Sequence, residues 1–537
     1  MPAHDRTQDS TPLASPAQSV SGVRRSWSET LASLWDWRVL CLLAMGFSAG
    51  IPILLIFSSL SLWLGEAGVE RKAVTFFSWA ALGYSFKFVW APLIDRLPLP
   101  WLTAWLGRRR AWMLLAQLGV IAAIAGMAHT DPASGPEALR QMAMWAVLLG
   151  FASATQDIVI DAYRIEIAGP EQQGLLSSAY IAGYRLGMIV AGAGALYLAS
   201  YWGSSKGAYV YTAWLWTYAV MACTMGVGVL TTLLTREPAP AAPAAPLPAG
   251  GHLRLLLVFV AGVLAFVGVF VGLGRWMAAW PVGSYGPVGS LLAETLRMGL
   301  SLGAAFGMGA LLVRLRLARA EEARSTWVLP VLDFFARYGA RTAWLLLALV
   351  GLYRISDIVL GVISNVFYQD LGFSKVEIAQ AVKTFGVVVS IVGGFWGGLL
   401  AARLGVMRSL WWGAVLSSLT NLGFVLLAWR GHDVALMYAV VAADNLAAGF
   451  ASAAFVAFLS SLTQVSFTAV QYAIFSSLMT LLPKTLGGYS GGMVDALGYP
   501  GFFTLTTLMG LPVLGLVLWA GRRLQLREAP VARSLAG

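Results

Sequence analysis

A chain of 537 residues that is 58% hydrophobic and 11% charged, with a mean hydropathy of +0.73, is too apolar for a soluble domain and reads as an all-α polytopic membrane protein. The net charge of +11 does not mark a nucleic-acid binder, because the basic residues sit in short segments between apolar runs, where they act as topology signals. Cys41 and Cys223 both fall inside apolar runs, which argues against a disulfide framework.

Residues 1–37 are polar and rich in Pro, Ser and Thr and read as a disordered cytoplasmic tail. The first apolar run, 39–64, is longer than the core of a signal peptide and reads as a spanning helix. Further runs at 73–93, 111–128, 142–160, 177–199 and 211–234 complete a six-helix bundle over 38–236. A Pro/Ala linker follows at 237–252, reading EPAPAAPAAPLPAGG over 237–251, extended by composition. Two additional runs, 253–272 and 295–313, fall within 253–313 and are expected at the periphery. A charged loop at 314–341 leads to runs at 344–367, 376–401, 410–428, 434–458, 468–482 and 502–519, a second bundle over 342–521, and a tail at 522–537. The total is about 14 spanning helices.

Lys and Arg alternate in density from loop to loop. Arg24, Arg25, Arg96, Arg108–Arg110, Arg164, Arg236, Arg254, the arginines of 314–341, Arg403, Arg408, Arg522, Arg523 and Arg527 fall on one side. The other side carries mostly Lys72, Arg140, Lys206, Arg275, Arg297, Lys375 and Arg430. That bias places both termini in the cytoplasm.

The chain repeats itself. GFASA occurs at 150–154 and again at 449–453, an offset of 299 residues. The same offset carries Gln172 onto Gln471, Ser177 and Ser178 onto Ser476 and Ser477, Arg185 onto Lys484, and Gly192 onto Gly491. Two parallel six-helix repeats are the architecture of a major-facilitator fold, here with two extra central helices. Asp95-Arg96 and Gly107-Arg108-Arg109-Arg110 resemble the G-x-x-x-D-x-x-G-R-[RK] loop of that superfamily, although the spacing between Asp95 and Gly107 is longer than usual. They read as topology charges or as a gate latch of Asp95, Arg108, Arg109 and Arg110, with Arg164. GGLLAARLGVMR at 397–408 is a weaker counterpart.

The most informative stretch is FASATQDIVIDAYRIEI at 151–167. Asp157, Asp161 and Arg164 lie at i, i+4 and i+7 and share one helix face, with Ala154 and Gln156 beside it. Acids in an apolar span usually face a cavity or a partner. Arg164 and Glu166 read equally well as a solvated helix end. All four histidines, His4, His129, His252 and His432, fall in tails or loops, which leaves proton coupling to Asp157 or Asp161. In a facilitator fold the first and fourth helices of each half line the cavity, which singles out Gly50, Arg354, Asp357, Asp444 and Asn445. Gln471 joins them through the repeat. Lys87, Arg185, Lys383 and Lys484 sit near span edges and either face the cavity, suiting an anionic ligand, or snorkel to an interface. Trp79, Tyr84 and Trp90 read chiefly as packing aromatics.

Several long motifs in one order carry a resemblance. They are FSAGIPILLIF (47–57), GYSFKFVWAPLIDR (83–96), LGRRRAW (106–112), ATQDIVIDAYRIE (154–166), NLAAGFASAAFVAFLSSLT (445–463), FTAVQYAIFSSL (467–478) and YPGFF (499–503). The chain resembles the AmpG muropeptide permeases over nearly all of 35–520. Thr155 departs from the Ser of many relatives but keeps the hydroxyl. The resemblance implies proton-coupled import, by alternating access, of GlcNAc-1,6-anhydro-MurNAc with or without peptide. It implies a monomer in the bacterial inner membrane, without cofactor or metal and without enzymatic activity. Other readings are a carrier of another acyl, nucleotide or peptide solute such as acetyl-CoA, and a sensor that transports nothing. An intramembrane enzyme is disfavoured, because no span holds a histidine and no long soluble loop is present.

Overall fold

The computed structural model describes residues 35–69, 84, 86–169, 172–205, 207–239, 250–278, 286–317, 319–487 and 489–534. Thirteen described helices are long and apolar enough to cross a membrane. They are α1 (Trp37–Leu54), α2 (Arg108–Ala128), α3 (Pro136–Glu166), α4 (Gln173–Tyr201), α5 (Tyr211–Leu234), α6 (Gly251–Met277) and α7 (Leu296–Arg314), followed by α8 (Ala340–Asp370), α9 (Ala379–Leu404), α10 (Val406–Arg430), α11 (Val434–Leu462), α12 (Val465–Lys484) and α13 (Ser490–Leu524). The chain is a multi-pass, all-helical membrane protein.

The expected fourteenth span, 73–93, lies mostly outside the described residues. Its described end is a 3-10 turn, Lys87–Val89, and a short helix, Ala91–Arg96. Two further helices, Leu102–Leu106 and Leu329–Tyr338, occupy segments read from sequence as loops. Helix α13 starts at Ser490, well before the apolar run, and bends at Gly498, where φ is +66°. Polar residues cap several starts. The Asp36 carboxylate accepts from Arg38 N at 2.9 Å to open α1, and Asp433 accepts from Leu436 N at 3.0 Å to open α11, each satisfying a donor left free by helix geometry.

Small residues set the closest crossings. Helices α1 and α4 meet backbone to backbone: a Cβ at Gly183 would lie 1.9 Å from the Leu43 carbonyl oxygen, and one at Gly50 2.0 Å from that of Tyr184. In the second half α9 and α11 meet the same way, and a Cβ at Gly449 would lie 2.0 Å from the Ser390 oxygen. One apolar core lies within the first bundle, another is built almost wholly from the second. A third joins the two through Ala469 and Ala473 of α12. The halves also touch along α4 and α9, where Ser178 Oγ donates to Gly394 O at 2.7 Å.

Helices α6 and α7 pack on each other and leave most of their surface open, with 17% and 6% of their spans buried. They meet the rest of the chain beside the end of the second run, where Phe266 lies 6.1 Å from Phe86. The segment after them braces the same end: Arg96 Nη2 donates to Ser325 O at 3.1 Å.

Candidate functional site

Helix α3 carries charges at three depths. Its last residue, Glu166, lies about 14 Å along the axis from Asp157 at 1.5 Å per residue. At that end Arg109, 1% exposed in its side chain, reaches two acids. Its Nη2 lies 2.7 Å from Asp95 Oδ1 and 2.5 Å from Glu166 Oε1. Both acids also reach the other half. Asp95 accepts from the backbone of Ala469 at 3.3 Å and of Val470 at 3.1 Å, buried N–H groups that the start of the helix Thr468–Gly487 leaves without intrahelical partners. Thr468 Oγ1 donates to Glu166 Oε1 at 2.9 Å. A carboxylate at a helix N-terminus is held by free N–H groups and by the helix dipole. The Arg-rich face is therefore closed by a clasp that ties the halves together.

The clasp has a brace. Arg109 N and Arg110 N donate to Glu237 Oε1 and Oε2 at 2.7 and 3.0 Å, so Glu237 caps α2. Gly107 leaves room for it: its φ is +87°, and a Cβ there would lie 2.4 Å from Glu237 Cγ. Arg110 in turn donates to Thr232 O and Leu233 O at 2.9 and 2.7 Å, at the end of α5. Arg108 Nη1 donates to Asp95 O at 2.7 Å.

Two residues deeper, about half a turn, Arg164 is wholly buried and spans both halves. Its Nη1 donates to Gln173, Ser177 and Ser460 at 3.0, 3.0 and 2.8 Å, and its Nη2 lies 3.3 Å from Asp161 Oδ1. The guanidinium stands 5.2 Å from the Tyr472 ring centroid. Asp161 also faces Lys87 Nζ at 3.9 Å. Asp157, a further turn in, accepts from Tyr180 OH at 3.3 Å and has no ion-pair partner among the described residues. Two buried acids on one face thus differ: two cations stand within ion-pair distance of Asp161, whereas Asp157 has the Tyr180 hydrogen bond and feels Lys87 only from farther off.

A second group lies in the other half. Arg354 Nη1 donates to Ser452 Oγ at 2.5 Å, and its Nε lies 3.0 Å from Asp357 Oδ2 without hydrogen-bond alignment. Asp444 is close enough to act on both. Arg185 of the first half is close enough for its charge to act on Arg354. Arg185, Arg354, Asp357 and Asp444 are half-buried.

The structure separates residues that the sequence grouped. Gln156 turns away from Asp157 and donates to Ser48 Oγ at 2.9 Å inside the first bundle. Gln471 is committed to the Arg-rich end, accepting from Arg337 Nη2 at 2.9 Å and donating to Pro330 O at 2.8 Å. Gly50 and Ala154 are packing positions in the core of the bundle. Asn445 Nδ2 donates to Val441 O at 3.0 Å on its own helix. Lys484 is exposed, while the side chain of Lys383 and all of Trp79 lie outside the described residues. Trp90 Nε1 donates to Thr155 Oγ1 and Tyr84 OH to Ser153 Oγ, so both rings serve packing. Glu166, Glu237, Tyr180, Ser460, Thr468 and Tyr472 joined the site only through the fold.

Two helical bundles facing each other across such a site, with five spans in the first and six in the second among the described residues, define a facilitator-type transporter. Solved structures of that fold superpose over nearly the whole chain. The proton:xylose symporter XylE gives a TM-score of 0.55 at 14% identity, covering 92% of this chain and 96% of that one. The Escherichia coli fucose:proton symporter FucP gives 0.54 at 11%, covering 90% and 98%. Residues 38–206 match the family described as acetyl-coenzyme A transporter 1. The anhydromuropeptide permease of Escherichia coli (strain K12) is 30% identical over 478 residues, 89% of this chain and 78% of that protein. The putative transporter AmpG 4 of Rickettsia conorii is 28% identical over 484 residues, 90% and 96% of the two chains. The chain belongs to the AmpG family of anhydromuropeptide permeases.

Proposed function

We propose that this chain imports anhydro-muropeptides, GlcNAc-1,6-anhydro-MurNAc with or without its peptide, across the bacterial inner membrane in symport with protons. Both termini lie in the cytoplasm, and the chain works as a monomer without a cofactor. Residues 38–236 and 342–521 are the two rocking units, with 253–313 outside them.

The observation that carries this reading is the contrast between Asp157 and Asp161. An ionised carboxylate deep in a span is costly without a cation. Asp161 has Arg164 and Lys87 within ion-pair distance, while Asp157 has the Tyr180 phenol and only the more distant charge of Lys87. Asp157 is therefore the acid that gains most from taking a proton when the outer side is open. Arg164 is held partly by Ser460 and Tyr472 of the second half. Rocking changes that hold and frees the guanidinium to move toward the acids, which favours proton release on the cytoplasmic side. The clasp of Asp95, Arg109 and Glu166 on Thr468–Val470 must break for that side to open.

Arg185 and Arg354 bring like charges from opposite halves toward one region, an arrangement that suits carboxylates of a peptide. Arg185→Ala and Arg354→Ala should each weaken uptake of the anionic muropeptide more than that of the peptide-free disaccharide. Losing one charge-assisted hydrogen bond costs about 1.5–3 kcal/mol, a roughly ten- to hundredfold loss of affinity. Equal losses for both substrates would move these residues to folding or gating.

The deciding experiment is uptake of labelled anhydro-disaccharide and anhydro-muropeptide into proteoliposomes, with and without an imposed pH gradient. Absence of gradient-driven accumulation for both would sink the proposal. The match of residues 38–206 to an acetyl-coenzyme A transporter family supports a second reading, an acyl-CoA carrier. Acetyl-CoA that competes for uptake, and is itself accumulated, would favour it.

A further inference from the structure

The end of α9, the first turns of α10 and the last turns of α13 enclose an open groove of about 380 Å³. Leu404, Val517 and Leu518 give it an apolar wall, and Arg408 and Arg522 stand on its two lips. Both arginines are exposed, and neither has an acid within ion-pair distance among the described residues. Segments 404–412 and 517–522 contain no Asp or Glu. Trp411 also lines the groove, and its indole N–H is buried without an acceptor.

The groove lies on the Arg-rich face. Helix α10 leaves that face and α11 returns to it, ending beside Thr468, which touches the clasp. Arginines placed only as topology signals need no apolar groove between them. We propose that this groove binds an anionic glycerophospholipid. Its phosphate sits between Arg408 and Arg522, and an acyl chain runs along Leu518. Charge complementarity fixes the class: two cations without acids at a membrane surface attract an anionic headgroup and give a zwitterionic one little advantage.

The test is native mass spectrometry of the purified full-length chain, equilibrated with equal amounts of phosphatidylglycerol and phosphatidylcholine. The wild type should retain phosphatidylglycerol preferentially. Each arginine near the surface should contribute about fivefold, so R408Q/R522Q should lose most of that preference while retaining phosphatidylcholine as before. Leu518→Trp, which fills the groove and leaves the charges, should also lower phosphatidylglycerol retention. Equal retention of the two lipids by the wild type would overturn the proposal. So would undiminished phosphatidylglycerol retention by R408Q/R522Q, or a Leu518→Trp variant that binds it as the wild type does.

Discussion

In the first half Arg38 Nη1 donates to Gln172 Oε1 at 3.0 Å. In the second half, one repeat offset along the chain, Arg337 Nη2 donates to Gln471 Oε1 at 2.9 Å. The repeat has kept this structural tie. It has not kept the charges deeper in. Asp157, Asp161 and Arg164 of the first half correspond to Val456, Ser460 and Thr463. Arg354, Asp357 and Asp444 of the second correspond to Leu55, Ser58 and Trp145. Bonds that hold a bundle together are needed twice, whereas a coupling site and a substrate site each need to exist once. Arg164 joins the two copies by donating to Ser460, the repeat mate of its own partner Asp161.

The contrast breaks most visibly at Asp157. Asp157→Asn should reduce pH-gradient-driven accumulation to background while leaving exchange at equal concentrations partly intact. Asp444→Asn should impair exchange and accumulation together. Accumulation surviving in both Asp157→Asn and Asp161→Asn would transfer coupling to the second half. Next in size is Arg164→Ala. It leaves Asp161 with only the 3.9 Å contact to Lys87, and breaking a buried pair costs about 3–5 kcal/mol. A midpoint of thermal unfolding close to the wild type would argue that Asp161 is already protonated.

Glu166→Gln should weaken the clasp by about 1.5–3 kcal/mol. Thiol labelling of Thr463→Cys from the Arg-rich side should then rise at least about tenfold. Unchanged labelling would show that Asp95 alone keeps that face shut. Packing supplies a further comparison. Gly183→Ala drives a methyl into the Leu43 carbonyl and should cost about 1–3 kcal/mol. Gly299→Ala in α7, with nothing within 4 Å of the new Cβ, should not destabilise the chain.

The smallest effect lies in the loop before α9. Ser374 N and Oγ donate to Glu377 Oε2, each at 2.8 Å, and His432 Nε2 lies 3.5 Å from it. The hydrogen bonds from Ser374 hold the Glu377 carboxyl below its usual range. Their contribution is present above the unfolded carboxylate pKa and is lost as pH falls through the lowered value. Ser374→Ala should therefore shift stability slightly at neutral pH and not at all in strong acid, as read by unfolding midpoints across that range.

The repeat and the spans were legible because hydropathy and spacing are properties of a single stretch. The face of Asp157, Asp161 and Arg164 was legible for the same reason, since helical period fixes it. Gln156 was not, because neighbours on a helix diverge by about 100° and only packing decides which direction holds water. Glu166 looked like a solvated end because Thr468, its partner in the other half, lies some three hundred residues away. Gln471 was assigned to the substrate by its repeat position, when that position encodes the tie to Arg337. Glu237 opens a Pro/Ala stretch whose composition says nothing of the helix it caps.

That cap sets where the polypeptide can be severed. The first half finishes its own bonding at Glu237, whose carboxylate closes the start of α2. The Pro/Ala stretch that follows is extended by composition. Two separately encoded fragments, one ending just beyond Glu237 and the other starting before Gly251, should reassemble into a working carrier. A first fragment ending at Arg236 would lack its cap and should assemble poorly. The position of one carboxylate thus marks the boundary at which an ancestral gene could accept a helical hairpin without disturbing the machine on either side.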